Sequence, residues 1–159
     1  WDYNIIQIKK NFKLNKMILL YFNWKHNRMS LNILVVDDSK LTRKIYEDKF
    51  NEKGHNVVLA ENGQDGIEKY NTKFNQTENI ASGNCDCVIL DFEMPDIDGD
   101  KVASKILEIN PLQKIVVISG SEVEKLRKAF QEMKNVVEIV QKGFSIDAFV
   151  KKIETGEEK

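Results

Sequence analysis

The stretch DFEMPDIDGD, residues 91–100, places five carboxylates within ten residues. Side chains that repel one another this strongly are rarely clustered for stability alone, because neighbouring carboxylates disfavour one another's ionised forms. Hard oxygen donors in such a cluster are typical of a site for a divalent cation, Ca²⁺ or Mg²⁺. Other residues of the chain must then complete the site.

The calcium alternative fails on spacing. If Asp96 opened an EF-hand type loop, the required glycine position would be Lys101 and the required final glutamate would be Leu107. Asp98 is instead expected to cap a helix with Gly99 beside it. The remaining acids, Asp96 and Asp100, are expected to be solvated.

Alternating strands and helices would position these carboxylates. Apolar, β-branched runs typical of strands buried on both faces occupy residues 32–36, 55–60, 85–90, 114–119 and 135–140. Helical patterns cover 39–54, 62–70, 98–109, 121–133 and 145–154, and a polar loop is predicted at 71–84. The first helix is expected to carry Leu41, Ile45, Tyr46 and Phe50 on one side. Connections this short predict βαβ units, and therefore an α/β fold with a parallel sheet and helices on both faces.

Polar residues follow four of these strands at their carboxyl ends, the edge where open parallel sheets form their sites. Three carboxylates brought together there repel one another unless a cation or raised pKa values relieve the repulsion, and the donor set suits Mg²⁺ beside a phosphoryl group. The chain has neither a Walker A loop nor a G-x-G-x-x-G motif, so a nucleotide is not expected. The residues concerned are Asp37, Asp38, Asp91, Ser119 and Lys142.

The chain resembles the receiver domain of two-component response regulators. The resemblance covers about residues 31–154 and rests on LVVDDSKLTRK, AENGQDGIE, VILDFEMPDIDG, VVISG and VQKGF, in this order and spacing. It implies a flavodoxin-like, doubly wound (βα)5 parallel sheet with strand order 2-1-3-4-5. This architecture agrees with the alternation of strands and helices.

The resemblance implies that Asp91 is the nucleophile that takes a phosphoryl group from a histidine kinase or a histidine phosphotransfer protein. It also implies a Mg²⁺ site in which Asp38 binds the metal directly and Asp37 binds mainly through water. The carboxylate of Asp91 and the backbone carbonyl of Glu93 would complete the metal set. No phosphohistidine donor is expected within the chain, and His55 is expected at the surface.

Two further residues carry roles that the resemblance implies. Lys142 would pair with Asp91 or the phosphoryl group and neutralise developing charge. Ser119 would hydrogen-bond a phosphoryl oxygen and draw the following loop inward, which is the conformational switch. Glu93 lies beside the attack path and is expected to affect how fast the phosphoryl group hydrolyses.

The sequence departs from the family pattern at two positions. Most receivers have a proline in a cis bond after the site lysine, but this chain has Gly143. A cis bond without proline costs about 2.5–4 kcal/mol, so the Lys142–Gly143 bond is predicted to be trans or the loop looser. Ile139 replaces the usual aromatic switch residue. A pseudo-receiver that only binds proteins is therefore the alternative.

A haloacid-dehalogenase type enzyme is disfavoured because it needs Asp-x-Asp, and here Asp37 and Asp38 are adjacent.

Composition limits the partners and the compartment. The formal net charge is −1, with about +5 in residues 1–28 and about −6 in the remainder. A mildly acidic domain is a poor candidate for binding DNA directly. The two cysteines, Cys85 and Cys87, are too few for a zinc site and are expected to be free thiols in a reducing compartment. The apolar run at 17–22 is too short to span a membrane or to serve as a signal peptide, which predicts the cytoplasm.

Three segments are predicted: an irregular leader at 1–30, a receiver domain at 31–154 and a tail at 155–159. The leader keeps no helical or strand period, and it is either not native or the end of an upstream region. The receiver is either a stand-alone protein or the receiver end of a hybrid histidine kinase, and the sequence slightly favours the second.

Overall fold

The computed structural model describes residues 30–74, 84–121, 126–128, 130–133 and 137–156. The strands are β1 Asn32–Val36, β2 Asn56–Ala60, β3 Cys87–Asp91, β4 Ile115–Ser119 and β5 Val137–Gln141. The α-helices with defined bounds are α1 Lys40–Glu52, α2 Gly63–Phe74, α3 Gly99–Ile109 and α4 Ile146–Thr155. The predicted leader lies outside these residues except for residue 30, and the helix predicted at 121–133 lies partly outside them. Of that predicted helix, residues 126–128 are helical and Gln131–Met133 form a 3₁₀ helix.

All five strands are parallel and lie in the order β2-β1-β3-β4-β5. This confirms the predicted fold class and strand order. Strands β3 and β4 are buried at every residue, as expected for a sheet covered on both faces. No helix in the described part of the chain is long and apolar enough to cross a membrane.

Successive strand residues point to opposite faces of the sheet and build two separate core layers. On one face, Ile33, Val35 and Ile89 pack with Tyr46 and Phe50 of α1 and Phe149 of α4. On the other face, Leu34, Val36 and Leu90 pack with Tyr70 of α2 and Val102 and Ile106 of α3. Leu126, Phe130 and Met133 also pack on this second face.

Helix α1 is capped by Ser39, the first residue of the predicted helical stretch, whose hydroxyl accepts a hydrogen bond from the Thr42 amide at 3.3 Å. Its buried stripe is narrower than expected. Leu41 is 72% exposed and Ile45 is 43% exposed, so their assignment to the buried side was wrong. The reason is geometric, because Leu41 lies about 140° around the helix from the buried Tyr46.

Helix α2 extends to Phe74, so the first part of the loop predicted at 71–84 is helical. Phe74 follows Tyr70 by one helical turn, and their ring centroids lie 6.0 Å apart. This aromatic pair on one face of the helix favours another helical turn. Residues 75–83 lie outside the described part of the chain.

His55 is buried rather than at the surface, which corrects the prediction from sequence. Its Nδ1 accepts a hydrogen bond from the Leu31 amide at 3.2 Å, and its Nε2 lies 3.1 Å from a carboxylate oxygen of Glu154. A neutral ring with its proton on Nε2 satisfies both contacts. The imidazole thereby links the start of the sheet to α4.

The two cysteines are free thiols, as predicted, and both are buried. Cys85 packs in the core layer beneath α2 and α3, whereas Cys87 packs in the layer beneath α1 and α4. Because the thiols belong to opposite faces of the sheet, they are not positioned to form a disulfide. Burial raises the pKa of each thiol to about 12, so both are inert at neutral pH.

Candidate functional site

The carboxyl ends of β1 and β3 bring three acidic side chains together. The two strands are neighbours, so Asp37, which follows β1, lies beside Asp91, which ends β3. Carboxylate oxygens of Asp37, Asp38 and Asp91 all lie within 4.8 Å of one another. Asp37 and Asp91 are only 5% and 4% exposed, whereas Asp38 is exposed. The sheet topology therefore brings together the three predicted acids, Asp37, Asp38 and Asp91, which form the acidic trio.

Three hydrogen bonds hold Asp37 in a buried position that disfavours its ionised form. Its amide donates to the Ala60 carbonyl at the end of β2, at 3.1 Å. Its carboxylate accepts from the Ser39 amide at 2.8 Å, and its own carbonyl accepts from Arg43 Nη1 at 2.7 Å. Burial, with a contribution from the Asp91 charge, raises the pKa of Asp37 to about 6 although the Ser39 bond opposes the shift. A cation at this position would relieve that cost.

Asp91 is held from two sides. One carboxylate oxygen accepts from Lys142 Nζ at 3.0 Å, and the other accepts from the Glu93 amide at 3.2 Å. Lys142 is positioned by its own backbone, since its amide donates to the Ser119 carbonyl at 2.7 Å and extends the β4–β5 pairing. Burial is the largest single effect and lowers the pKa of Lys142, but the hydrogen bond to Asp91 and the charges of the neighbouring carboxylates together outweigh it, so the net shift is upward. A positive charge therefore lies against the carboxylate that ends β3.

The bond after Lys142 is trans, because the described residues contain no cis peptide bond. Gly143 adopts φ +109°, a conformation that L side chains rarely take. The first of the two sequence alternatives is confirmed: the bond is trans, and Lys142 still reaches Asp91. Proline fixes φ near −65°, so this loop conformation and the proline of most receivers are mutually exclusive.

A second network surrounds the carboxylate of Glu93. It accepts hydrogen bonds from the Ser119 hydroxyl at 3.3 Å, the Ser121 hydroxyl at 2.6 Å and the Gly120 amide at 3.4 Å. Lys142 Nζ lies 3.8 Å from the same carboxylate. The Ser121 hydroxyl lowers the pKa of Glu93, with the other donors acting in the same direction. Ser121 and Gly120 were not predicted from sequence, and their position directly after Ser119 at a strand end was the one available signal.

Two other acids of residues 91–100, Asp96 and Asp98, contact groups outside the acidic trio. Asp96 accepts from the amides of Gly63 and Gln64 at 3.2 and 3.1 Å, so it stabilises the N-terminus of α2 and is not merely solvated. Asp98 occupies the N-cap position of α3, but its side chain makes no capping bond and contacts Lys101 Nζ at 3.2 Å. The predicted N-cap position is therefore confirmed, but the side chain does not supply the capping hydrogen bond.

The arrangement combines a site for a hard cation with donors for an anion. Three clustered carboxylates offer the oxygen ligands that Mg²⁺ prefers. The Lys142 ammonium, the Ser119 hydroxyl and the Gly120 amide lie at the neighbouring strand ends and can bind oxyanion oxygens. The roles of these residues, and of the Glu93 carbonyl as a metal ligand, stay predictions.

Comparisons with known proteins agree on one family. Residues 33–154 match the model of the response regulator receiver domain. The chain is similar to the chemotaxis protein CheY of Treponema pallidum, with 35% identity over 105 residues, covering 65% of this chain and 67% of that protein. It is similar to the autoinducer 1 sensor kinase/phosphatase LuxN of Vibrio campbellii, with 27% identity over 103 residues that are 65% of this chain. The match spans only 11% of the length of LuxN.

A solved structure similar to this chain is the response regulator protein TrrA of Thermotoga maritima, in complex with Mg²⁺ and BeF. The identity is 30% and the TM-score is 0.62. The alignment covers 78% of this chain and 96% of that chain, so the two share the fold over nearly all of TrrA.

Proposed function

Because the chain belongs to the response regulator receiver family, whose members are phosphoacceptor signalling modules, we propose that Asp91 is the phosphate acceptor of a two-component phosphorelay. The observation that carries this proposal is the buried Asp91 carboxylate, paired with Lys142 at 3.0 Å and flanked by Asp37 and Asp38. A buried carboxylate beside both a fixed cation and a metal-type acidic cluster is suited to nucleophilic attack on a phosphoryl group.

The donor in this proposal is the phosphohistidine of a histidine kinase or a histidine phosphotransfer protein. One carboxylate oxygen of Asp91 attacks the phosphorus, and a new P–O bond forms as the P–N bond to the donor imidazole breaks. The imidazole nitrogen leaves with the bonding electron pair. Lys142 stabilises the charge on the transferring oxygens, and Ser119 donates its hydroxyl to one of them.

The residues at the site fit Mg²⁺. The ligands would be the carboxylates of Asp37, Asp38 and Asp91, with the Glu93 carbonyl completing the set. The raised pKa of Asp37 supports a bound cation, because burial and the Asp91 charge destabilise its ionised form in the metal-free chain. When bound, Mg²⁺ would neutralise the carboxylates and the phosphoryl oxygens.

The output is a change of conformation rather than a released product. Redirecting the buried Ser119 hydroxyl to a phosphoryl oxygen would pull residues 120–121 toward the end of β3. Most receivers have an aromatic residue where this chain has Ile139, which is partly buried against the core. The movement of residues 120–121 is therefore not coupled to rotation of an aromatic ring. We therefore place the signal in the loop after β4.

We also propose that the domain works in the cytoplasm, because its two buried free thiols fit a reducing compartment. Its partners would be phosphohistidine proteins and not nucleic acid. Residues 31–154 would form the functional unit, either alone or at the receiver end of a hybrid histidine kinase.

The test is phosphorylation by acetyl phosphate with Mg²⁺, followed by intact mass spectrometry. The wild-type chain should gain one phosphate, and this gain should be lost with EDTA and in Asp91→Ala. Asp100→Ala is the matched control, because it removes a carboxylate from the same segment outside the trio and should be phosphorylated normally. A folded wild-type chain that binds Mg²⁺ but gains no phosphate would contradict the proposal.

A pseudo-receiver is the second candidate, and one observation favours it. The Ser119 hydroxyl already donates a hydrogen bond to Glu93. The group expected to hydrogen-bond the phosphoryl oxygen is therefore engaged in the unphosphorylated chain. Absence of the phosphate adduct would support this reading, with the domain acting through protein contacts alone.

A further inference from the structure

The Glu93 carboxylate occupies the donors that an aspartyl phosphate would need. Its two oxygens accept from the hydroxyls of Ser119 and Ser121 and from the Gly120 amide. Its distance to Lys142 Nζ is 3.8 Å. A carboxylate and a phosphoryl group present similar anionic oxygens, and both are bound by the same hydroxyl, amide and ammonium donors. The site therefore already contains an anion supplied by the chain itself.

We infer that Glu93 is an internal competitor, which holds the loop after β4 in the unphosphorylated conformation and must be displaced when a phosphoryl group arrives. This inference rests on the proposed phosphoacceptor function. Glu93 is a positioning residue here, because it acts through Ser119, Gly120 and Ser121 rather than on the reacting atoms.

The geometry supports displacement rather than permanent closure. The Glu93 side chain is 42% exposed, so the carboxylate can swing into water at little cost. Its shortest contact, 2.6 Å, is to the Ser121 hydroxyl, which can rotate freely once released. In contrast, Ser119 is 1% exposed and its oxygen also accepts from the Ser121 amide at 3.0 Å. The fixed donor stays in the site while the mobile carboxylate leaves.

Displacement couples occupancy of the site to the loop. In the unphosphorylated chain, Glu93 joins the turn after β3 to residues 119–121 through three hydrogen bonds. An anion that takes over these donors breaks that connection and forms a new one to Asp91. The same exchange would lower the affinity of the site for phosphoryl groups, because the incoming anion must first replace an existing one.

The test measures equilibrium binding of beryllofluoride, a phosphoryl mimic, at saturating Mg²⁺ by calorimetry on the full chain. Glu93→Ala removes the competitor but keeps the backbone carbonyl. It should bind the mimic about threefold to tenfold more tightly, which equals about 0.7–1.4 kcal/mol. Glu93→Gln keeps a neutral acceptor for the Ser121 hydroxyl and should fall between wild type and Glu93→Ala. Glu108→Ala, an exposed carboxylate on α3 paired with Lys105, is the charge-matched control and should bind as wild type.

Three results would overturn the inference. Equal or weaker binding by Glu93→Ala would show that Glu93 does not compete. Equal gains in Glu93→Gln and Glu93→Ala would assign the effect to charge repulsion and not to occupied donors. If none of the folded, Mg²⁺-binding chains bound beryllofluoride, the proposed function and the inference would both fail. The first two results would overturn the inference alone.

Discussion

Replacing Asp37 with asparagine should stabilise the metal-free protein while weakening its Mg²⁺ site. The pKa of Asp37 is raised from 3.8 to about 6, chiefly by burial. A shift of roughly two pKa units corresponds to about 3 kcal/mol of cost for the ionised form at neutral pH. Asparagine keeps an oxygen that can accept from the Ser39 amide, but burying its NH2 group without a partner offsets part of the gain. We therefore expect a gain of about 2 kcal/mol in the free energy of unfolding.

The sign of the pH dependence follows from the raised pKa. Between pH 3.8 and about 6 the folded chain binds more protons at Asp37 than the unfolded chain does. The wild type therefore loses stability as the pH rises through this window, and the penalty is complete above it. Asp37→Asn does not carry this penalty. The stability difference between the two proteins should be largest at pH 7.5 and should shrink toward pH 4.

Urea denaturation in EDTA measures the free energy of unfolding and its dependence on pH. Asp38→Asn is the matched control. It removes the neighbouring charge from an exposed side chain, so its stability should stay within about 0.5 kcal/mol of wild type. Adding Mg²⁺ should stabilise the wild type and close the gap to Asp37→Asn, because the cation binds the intact acidic cluster more tightly. A variant no more stable than wild type, or an equal gain in Asp38→Asn, would refute burial of the Asp37 charge as the cause.

Four further substitutions, at three positions, test the backbone and the core by urea denaturation. Gly143→Ala should cost about 1 kcal/mol because φ is +109°, and Gly143→Pro should cost more because proline cannot adopt a positive φ; a neutral Gly143→Pro would contradict this conformation. Gly66→Ala should cost about 1–2 kcal/mol despite better helix propensity, since its Cβ would lie 2.8 Å from a methyl carbon of the buried Val36; a stabilised variant would show that the contact relaxes. His55→Leu should cost about 1–3 kcal/mol because the Leu31 amide loses its acceptor; an unchanged midpoint would place that amide in contact with water.

The fold and the acidic trio could be predicted because their signals are local. Each strand is a short apolar run, and the parallel order fixes which strand ends meet at one edge. Asp37 and Asp91 directly follow or end such runs, so their convergence needs no knowledge of side-chain conformation. The same reasoning located Lys142 and Ser119 at the neighbouring strand ends.

Contacts between distant segments could not be predicted in this way. Asp96 binds amides of Gly63 and Gln64, more than thirty residues earlier in the chain, and no local pattern distinguishes it from a solvated acid. His55 is buried because Glu154 and the Leu31 amide happen to satisfy both ring nitrogens. Such contacts depend on how helices pack across the sheet.

The Glu93 network shows the same limit within the site itself. The sequence placed Glu93 beside the attack path, but its hydrogen bonds depend on a side-chain rotamer and on the loop after Ser119. A carboxylate two residues beyond Asp91 can point to solvent, to a metal or to the donors of β4. Only the three-dimensional arrangement shows that the carboxylate contacts Ser121 at 2.6 Å.

The position of the phosphate decides whether Asp91 is the acceptor. The chain, phosphorylated by acetyl phosphate with Mg²⁺, is treated with borohydride, which reduces an aspartyl phosphate to homoserine. The tryptic peptide 74–101 is then sequenced by tandem mass spectrometry, because it contains Asp91 together with the other acids of residues 91–100. We expect reduction at Asp91 and at no other residue. Reduction at another acid, or an unmodified peptide from a chain whose intact mass shows a phosphate, would contradict it.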